Sequence, residues 1–266
     1  MSEPNPYQPP APSAAPAAGG FIAHGRTVDA GRGWEWIAAG WALFTRQAGL
    51  WIAIALAWMV FVFITNFIPP LAIVNIIAGP ALLGGLMLGA HALQTGNALS
   101  FSHLFAGFNK HSGALLGLGL VYFIGLAMIT LIAGMVTGFG VIKAIFAALP
   151  ATDVMQNAEP FIVLILASMT SILLGLLVAL ALLVPLAMVL WFAPALIVLH
   201  DMGMVAAMKA SFMGCLKNIM PFLVYGIVLL VPFMLATLLL GLGWLIVGPL
   251  MATSTYAAYR DIFLAS

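Results

Sequence analysis

The sequence predicts an all-α polytopic membrane protein in which six transmembrane helices form three helical hairpins, each preceded by a cytoplasmic interfacial amphipathic helix. The composition, a threefold order of elements and the distribution of charge predict this class. Of the 266 residues, 64% are hydrophobic and 6% are charged, whereas a soluble domain carries about 25% charged residues. The net charge of +1, without clustered Lys or Arg, argues against nucleic acid as a partner. The expected surroundings are the lipid bilayer.

Residues 1–32 are predicted to be a disordered cytoplasmic tail, and residues 33–264 a six-helix membrane domain. The chain begins MSEPNPYQPPAPSAAPAAGG, which is rich in Pro and Ala. A segment of this composition cannot bury enough apolar surface to offset the entropy of folding.

Residues 33–46, GWEWIAAGWALFTR, have the pattern of an amphipathic helix. Trp34, Ile37, Trp41 and Phe44 recur at intervals of three and four, which places them on one face. Tryptophan prefers the headgroup level of a membrane, where its ring is half apolar and its N–H stays wet. This pattern predicts a helix that lies on the membrane before the first span.

The same amphipathic helical pattern recurs twice, in residues 100–110 and 201–218. Its predicted apolar faces consist of Phe101, Leu104, Phe105 and Phe108 in the second copy, and of Val205, Met208, Phe212 and Leu216 in the third. The predicted interfacial anchors are rings and cations beside these helices and near the C-terminal end: Trp34, Trp41, Arg46, Lys110, Lys209, Lys217, Tyr256, Tyr259 and Arg260. An interfacial helix followed by a helical hairpin therefore forms a repeated unit.

Two of the hairpins are short. Leu50–Ile68 and Leu71–Leu93 flank a Pro-Pro turn, and Phe222–Leu240 and Trp244–Ala258 flank a turn with two glycines. A span needs about 20 apolar residues, so these four segments are close to the length that is needed to cross a membrane. The GxxxG pattern at Gly85 is expected to serve helix packing.

The forty-one residues from Pro160 to His200 carry no formal charge, a length between one span and two. Seven of the eight Lys and Arg residues lie in the tail, around the amphipathic helices or at Arg260, and only Lys143 lies elsewhere. Because positive residues stay cytoplasmic, this sorting requires a single crossing with both termini inside. The second hairpin is therefore oversized, and we expect it to bend at Pro185 and Pro194.

Several blocks of sequence carry a family resemblance. GWEWIAAGWALFTRQAGLWI, WFAPALIVLHDM followed by AMKASF, PFLVYG and YAAYRDIF resemble a family of uncharacterised multi-pass inner-membrane proteins of Gram-negative bacteria. The resemblance covers about residues 30–264 and implies the bacterial inner membrane. The plan is more distantly similar to the membrane domain of some glycerophosphodiester phosphodiesterases, which implies a lipid-related setting by analogy.

No motif of a known catalytic or cofactor site occurs in the sequence, so we expect neither an enzyme nor a cofactor. The best candidate for a base is His200 beside Asp201, but adjacent helical residues point about 100° apart. His91, His103 and His111 are predicted on the same side of the membrane as His200, yet their spacings do not resemble those of metal ligands.

Two classes of function remain open. A non-catalytic scaffold or accessory protein, with a membrane-protein partner or through self-association, is favoured because the predicted span interiors lack the charged groups of ion-coupled carriers. The alternative is a passive transporter or a binding protein for a lipid or another apolar molecule, since prolines that break helices line many substrate sites. The candidate residues for a binding site or functional hinge are Pro185, Trp191, Pro194, His200 and Asp201.

Overall fold

The computed structural model describes residues 20–109, 111–148, 159–238 and 241–265, and in them the fold is all-helical. Apart from one isolated antiparallel bridge between Phe21 and Leu264, the described residues contain no β-structure. The elements are α1 (Arg32–Arg46), α2 (Ala48–Phe67), α3 (Pro69–Gln94), a 3-10 helix (Phe101–Phe108), α4 (Ser112–Ala148), α5 (Glu159–Trp191), α6 (Ala193–His200), α7 (Met204–Lys217), α8 (Ile219–Leu238) and α9 (Trp244–Phe263).

Five helical segments are long and apolar enough to cross a membrane: Ala48–Phe67, Pro70–Gln94, Ser112–Phe146, Leu164–His200 and Ile219–Leu238. The predicted sixth span falls in α9, which is not among these five segments of the described chain. This helix is the least apolar of the long ones, because Thr253, Ser254, Arg260 and Asp261 lie within it.

The core is concentrated where the short helices meet the ends of the long ones. Its largest fully buried side chains include Trp36, Trp51, Phe192, Tyr259 and Phe263. Large apolar side chains remain exposed along the far halves of α2, α4, α5 and α8. The described fold therefore has a densely packed base, which consists of the short helices and the adjoining ends of the long helices. The far halves of the long helices have apolar outer surfaces.

The long uncharged run breaks directly before Pro194, as predicted. Phe192 separates α5 from α6, and Pro194 lies in the first turn of α6, where a missing N–H is tolerated. Pro185 stays inside the continuous helix α5. At the break, the Ser211 hydroxyl accepts a hydrogen bond from the Phe192 N–H (2.9 Å) and donates one to the Met188 carbonyl (2.7 Å). A side chain inserted into the helical ladder in this way bends a helix.

The helices α4 and α5 are the longest in the described chain, with 37 and 33 residues, and they form its most extensive helix pair. At about 1.5 Å per residue they extend roughly 55 and 50 Å, beyond the hydrocarbon thickness of about 30 Å. Glycines allow the close approach: a Cβ on Gly140 would meet the Ser171 side chain at 2.1 Å, and one on Gly175 would meet that of Thr137 at 2.0 Å.

The predicted disordered tail must be shortened. Residues 20–31 pack along the C-terminal end of α9, where the Ile22 N–H donates to the Phe263 carbonyl (2.9 Å) and the Arg26 N–H to the Ile262 carbonyl (2.8 Å). Backbone hydrogen bonds of this kind cannot be predicted from amino-acid composition. The prediction from composition therefore extended the disordered tail to residue 32. Residues 1–19 lie outside the described residues.

The predicted apolar faces of α1 and α7 point mostly outward. Trp34 and Trp41 are exposed while Trp36 is buried, and α7 turns Ala207, Ala210, Ser211, Gly214 and Cys215 inward. The second copy is a 3-10 helix. In it Leu104 is buried while Phe101 and Phe105 are exposed, so their predicted common face is wrong. Its closing residue, Lys110, lies outside the described residues.

The GxxxG pattern of α3 serves internal packing, as predicted. A Cβ on Gly85 would lie 2.2 Å from the His103 carbonyl oxygen, and one on Gly89 would lie 2.6 Å from the Leu99 side chain. The 3-10 helix and the loop before it therefore depend on these two glycines for their contact with α3.

A candidate apolar binding cavity and the polar clusters at the base

A partly open cavity of about 610 Å³ lies among the helices at the level of the α5–α6 break. This volume falls in the range of about 300–1,000 Å³ that is usual for small-molecule sites. Side chains from α2, α3, α4, α5, α6 and α9 line the cavity, and none of them is charged. An uncharged apolar cavity of this size suits an apolar guest.

Aromatic rings form much of the cavity wall. Four of the seven tryptophans line it, namely Trp51, Trp58, Trp191 and Trp244. The other polar groups on the wall belong to Tyr122 and Thr255. The indole N–H groups of Trp51 and Trp191 are buried without a hydrogen-bond partner among the described residues. Few polar groups of the wall therefore form hydrogen bonds with the rest of the described protein.

The five candidate residues predicted from the sequence lie in three places. Trp191 and Pro194 line the cavity, whereas Pro185, His200 and Asp201 do not. Pro185 is exposed on α5. The helix break thus supplies one wall of the cavity, whereas His200 and Asp201 lie at the opposite, C-terminal end of α6.

His200 lies in a cluster of aromatic rings with Phe21 and Tyr259. Its Nε2 shares a hydrogen bond with the Tyr259 hydroxyl, and its ring stacks on Phe21 with centroids 3.9 Å apart. Tyr256 hydrogen-bonds His91 Nδ1 at 2.9 Å. Tyr256 and Tyr259 are both buried, so their predicted role as interfacial anchors is wrong. Tyrosine spacing alone did not reveal the two histidine partners, which lie on other helices.

Asp201 has the left-handed backbone conformation, with φ of 53°. This conformation ends α6 and turns the carboxylate towards His111, whose Nε2 lies 3.0 Å from Asp201 Oδ1. The distance suits an ion pair with a protonated His111, although the geometry is not that of a hydrogen bond. The pair holds the start of α4 near the end of α6.

Apart from Lys110, which lies outside the described residues, the remaining predicted anchors are exposed, and two of them are also held by carbonyls. Arg46 Nη1 donates to the Leu93 carbonyl at 2.9 Å, and Lys217 Nζ donates to the Gly25 carbonyl at 3.0 Å. Lys209 and Arg260 are exposed, as are Trp34 and Trp41. These six positions are compatible with contact to headgroups.

A second polar cluster surrounds Asp261 at the end of α9. Asp261 Oδ1 accepts a hydrogen bond from Arg26 (3.0 Å), and Oδ2 accepts hydrogen bonds from Arg32 Nε (2.7 Å) and Trp36 Nε1 (2.9 Å). Burial alone would raise the pKa of Asp261, but the hydrogen bonds and charges of these donors outweigh it and hold the pKa below its ordinary value. Asp261 therefore joins residues 20–31 and α1 to α9.

The described residues contain no group of three or more His, Cys, Asp or Glu side chains that could hold a metal ion. His91, His103, His111 and His200 each have a different partner: Tyr256, Ser100, Asp201 and Tyr259 respectively.

The cavity-lining tryptophans of α2 are not among the candidate residues predicted from the sequence. Trp51 and Trp58 are seven residues apart and therefore share a face of α2. Trp58 lies in the middle of an apolar helix, away from the interface that tryptophan prefers. That position was the available signal for an internal aromatic wall.

Comparison with known proteins supports a membrane setting. The chain is similar to a protein of Burkholderia thailandensis named as a probable inner membrane protein, with 26% identity over 258 residues that cover 89% of this chain and 92% of that protein. No family model matches the chain, and no solved structure matches it. Together with the long apolar helices, this similarity supports an inner-membrane setting for the chain.

Proposed function

We propose that this protein is a non-catalytic inner-membrane protein that binds a lipid acyl chain, or another apolar molecule of similar size, in the cavity at the α5–α6 break. The observation that carries the proposal is the uncharged, aromatic-walled volume of about 610 Å³. An apolar guest gains about 25 cal/mol for each Å² of apolar surface that leaves water. For a lipid already in the bilayer that gain is absent, so close packing against the walls supplies the preference.

An acyl chain is the expected occupant because it is the most abundant apolar molecule around a membrane helix. Leu183, Ala187 and Met251 offer aliphatic contacts, and the rings of Trp58 and Trp191 offer flat ones. The distant resemblance to the membrane domain of some glycerophosphodiester phosphodiesterases also supports a lipid-related setting. A charged substrate is disfavoured because the lining residues carry no charge.

The proposal includes a topology of six spans with both termini in the cytoplasm. The long helices α2, α3, α4, α5 and α8 are five of them, and Trp244–Ala258 of α9 is the sixth. The concentration of Lys and Arg on one side supports this orientation.

Labelling with a membrane-impermeant maleimide tests the topology in a Cys215→Ala background. We expect Asp153→Cys to react in intact cells and Lys209→Cys to react only after permeabilisation. Lys209 is preferred to Ser211 for this purpose, because Ser211 is fully buried. The reverse pattern of labelling would contradict the six-span orientation.

Filling the cavity tests the binding function. Ala187→Phe adds a ring inside the cavity, whereas Ala181→Phe adds the same ring at an exposed position on the same helix. We expect the purified wild-type chain and Ala181→Phe to retain a co-extracted lipid that mass spectrometry detects, and Ala187→Phe to lose it. Equal retention by both variants at equal yield would refute the cavity as the binding site.

The tryptophans of the wall supply an independent readout. Lipids brominated on the acyl chain quench indole fluorescence on contact, and four of the seven tryptophans line the cavity. We expect Ala187→Phe to reduce quenching relative to Ala181→Phe. Because this assay adds a known lipid, it also detects a cavity that empties during purification.

A scaffold or accessory role is the second candidate, and the exposed apolar surface of α4 and α5 supports it. Leu173, Leu176 and Leu180 are exposed on α5, as are Met135 and Phe139 on α4. Purification of the tagged chain from native membranes in mild detergent tests this role. A stoichiometric protein partner with no retained lipid would favour it over binding in the cavity.

A further inference from the structure

A second cavity, of about 370 Å³, lies between α1 and the end of α9. Its charged lining residues are Arg26, Arg32, Arg260, Glu35 and Asp261. On α9, residues 257, 260 and 261 project to the side opposite residues 248, 251 and 255, which line the apolar cavity. The two cavities are therefore separate sites, and one short ligand cannot occupy both.

Asp261 acts as a brace for the guanidinium groups of this second cavity. Its two oxygens are occupied by Arg26, Arg32 and Trp36, and its side chain is only 6% exposed. Arg32 also pairs with Glu35. A carboxylate that holds two guanidinium groups in place fixes the directions of their remaining N–H groups, which reduces the entropy lost when an anion binds.

The positive charge of this cavity exceeds the negative charge of its lining residues. Three arginines face two carboxylates. The guanidinium of Arg260 forms no hydrogen bond or ion pair with any described residue, and it is exposed. Among the described lining residues one unit of positive charge thus remains, and it lies on the side chain best suited to bidentate contact with an oxyanion.

The cavity lies on the side of α1 away from its exposed tryptophans. Arg32, Glu35 and Ala39 of the lining share one side of α1, whereas Trp34 and Trp41 lie on the other. With the tryptophan side at the membrane, the cavity opens towards water.

We propose that Arg260 and Arg32 form a binding site for a phosphate group, carried either by a soluble ligand or by a phospholipid headgroup. The fork of a guanidinium matches two phosphate oxygens, and the Asp261 brace keeps Arg32 in place when the site is empty. The apolar cavity contributes nothing to this site, so the two proposals stand or fall independently.

Thermal unfolding of the purified full chain in mild detergent tests the soluble source. Inorganic phosphate is titrated at pH 7 against sodium chloride of equal ionic strength. We expect phosphate to raise the unfolding temperature in a saturable way, because a ligand of the native state stabilises it. Arg260→Gln should weaken the apparent affinity about tenfold, the size expected for one lost hydrogen bond to a charged group.

Two further variants test whether the phosphate effect depends specifically on the guanidinium of Arg260. Lys209→Gln removes an exposed cation of α7 outside this cavity and should leave the phosphate effect unchanged. Arg260→Lys keeps the charge without the fork and should recover part of the affinity. Arg260 makes no described hydrogen bond, so neither of its substitutions is expected to prevent folding.

Native mass spectrometry from nanodiscs tests the lipid source. Nanodiscs of phosphatidylcholine with phosphatidylglycerol are compared for the wild type, Arg260→Gln and Lys209→Gln. Retention of phosphatidylglycerol that only Arg260→Gln abolishes would support a headgroup ligand, and a phosphate effect without such retention would support a soluble one. The proposal is overturned if neither probe binds, or if Arg260→Gln and Lys209→Gln behave alike in both assays.

Discussion

Apart from Glu159 at the start of α5, the helices α5 and α6 come from one uncharged run of sequence, but they lie in opposite environments. Large side chains of α5 such as Leu173 and Leu177 are exposed, whereas six of the eight residues of α6 are buried. Both segments consist almost entirely of apolar residues. Hydrophobicity therefore identifies segments that leave water, but it does not distinguish contact with lipid from contact with protein.

Side-chain size and the helix break separate the two environments. At the start of α6, Ala193, Pro194 and Ala195 are small and buried, which allows α6 to pack closely against its neighbours. The exposed face of α5 is leucine-rich, and small residues of this helix such as Ser171 and Gly175 lie instead at its contact with α4. Small residues at helix contacts are the usual means of close packing in membrane proteins.

Truncating a leucine in each helix should give the largest difference. Leu196 in α6 is fully buried and Leu177 in α5 is 54% exposed. We expect Leu196→Ala to lower the free energy of unfolding by about 2–5 kcal/mol because it leaves a cavity, and Leu177→Ala by less than about 1 kcal/mol. Chemical unfolding in mild detergent measures both. Equal losses would show that α5 is also packed against protein in the membrane.

The sequence was sufficient for the helical class and for the break before Pro194, because apolar periodicity and proline act locally. It was insufficient for the environment of Tyr256 and Tyr259, which depends on histidines far along the chain. The apolar cavity was equally out of reach, since its walls come from six helices. The role of Ser211 also depends on a contact between separate helices, and no local pattern marks that hydroxyl as part of the break.

Charge distinguishes the cluster around Asp261 from the apolar helices α5 and α6, and Asp261 tests this difference through pH. Because its folded pKa is lowered, the ionised carboxylate stabilises the fold fully above its ordinary pKa of about 3.9, and this stability is lost as the pH falls through the lowered value. We expect Asp261→Asn to cost about 1–3 kcal/mol at pH 7, since the partner arginines are partly exposed and screened.

Unfolding measured from pH 7 to pH 3 checks the sign. Asp261→Asn should flatten the loss of stability at acid pH, whereas Glu35→Gln, which changes an exposed carboxylate in the same cavity, should leave it in place. An unchanged acid profile in Asp261→Asn would mean that another carboxylate controls it.

Ser211→Ala tests how the break between α5 and α6 is held. The substitution removes the hydroxyl that accepts from the Phe192 N–H and donates to the Met188 carbonyl. Leaving buried polar groups unpaired costs about 1–3 kcal/mol. Thr170→Ala is the matched control, because the Thr170 hydroxyl is exposed and bonds only to a carbonyl of its own helix, that of Leu166. We expect the control to change stability by less than about 0.5 kcal/mol in the same unfolding assay.

Of these single substitutions, Pro194→Ala should have the smallest effect on the free energy of unfolding. The proline already has a compatible backbone, so its replacement acts mainly by enlarging the entropy of the unfolded chain, at a cost of about 0.4–1 kcal/mol. The Ser211 hydroxyl still separates Phe192 from Met188, so we expect the break to persist.

In the double variant Ser211→Ala/Pro194→Ala, both causes of the break are absent. The helix α5 is then free to continue as a straight helix, which would pull α6 out of the core. The double loss should therefore exceed the sum of the single losses by more than about 0.5 kcal/mol. Additive losses would show that the buried packing of α6 holds the break by itself.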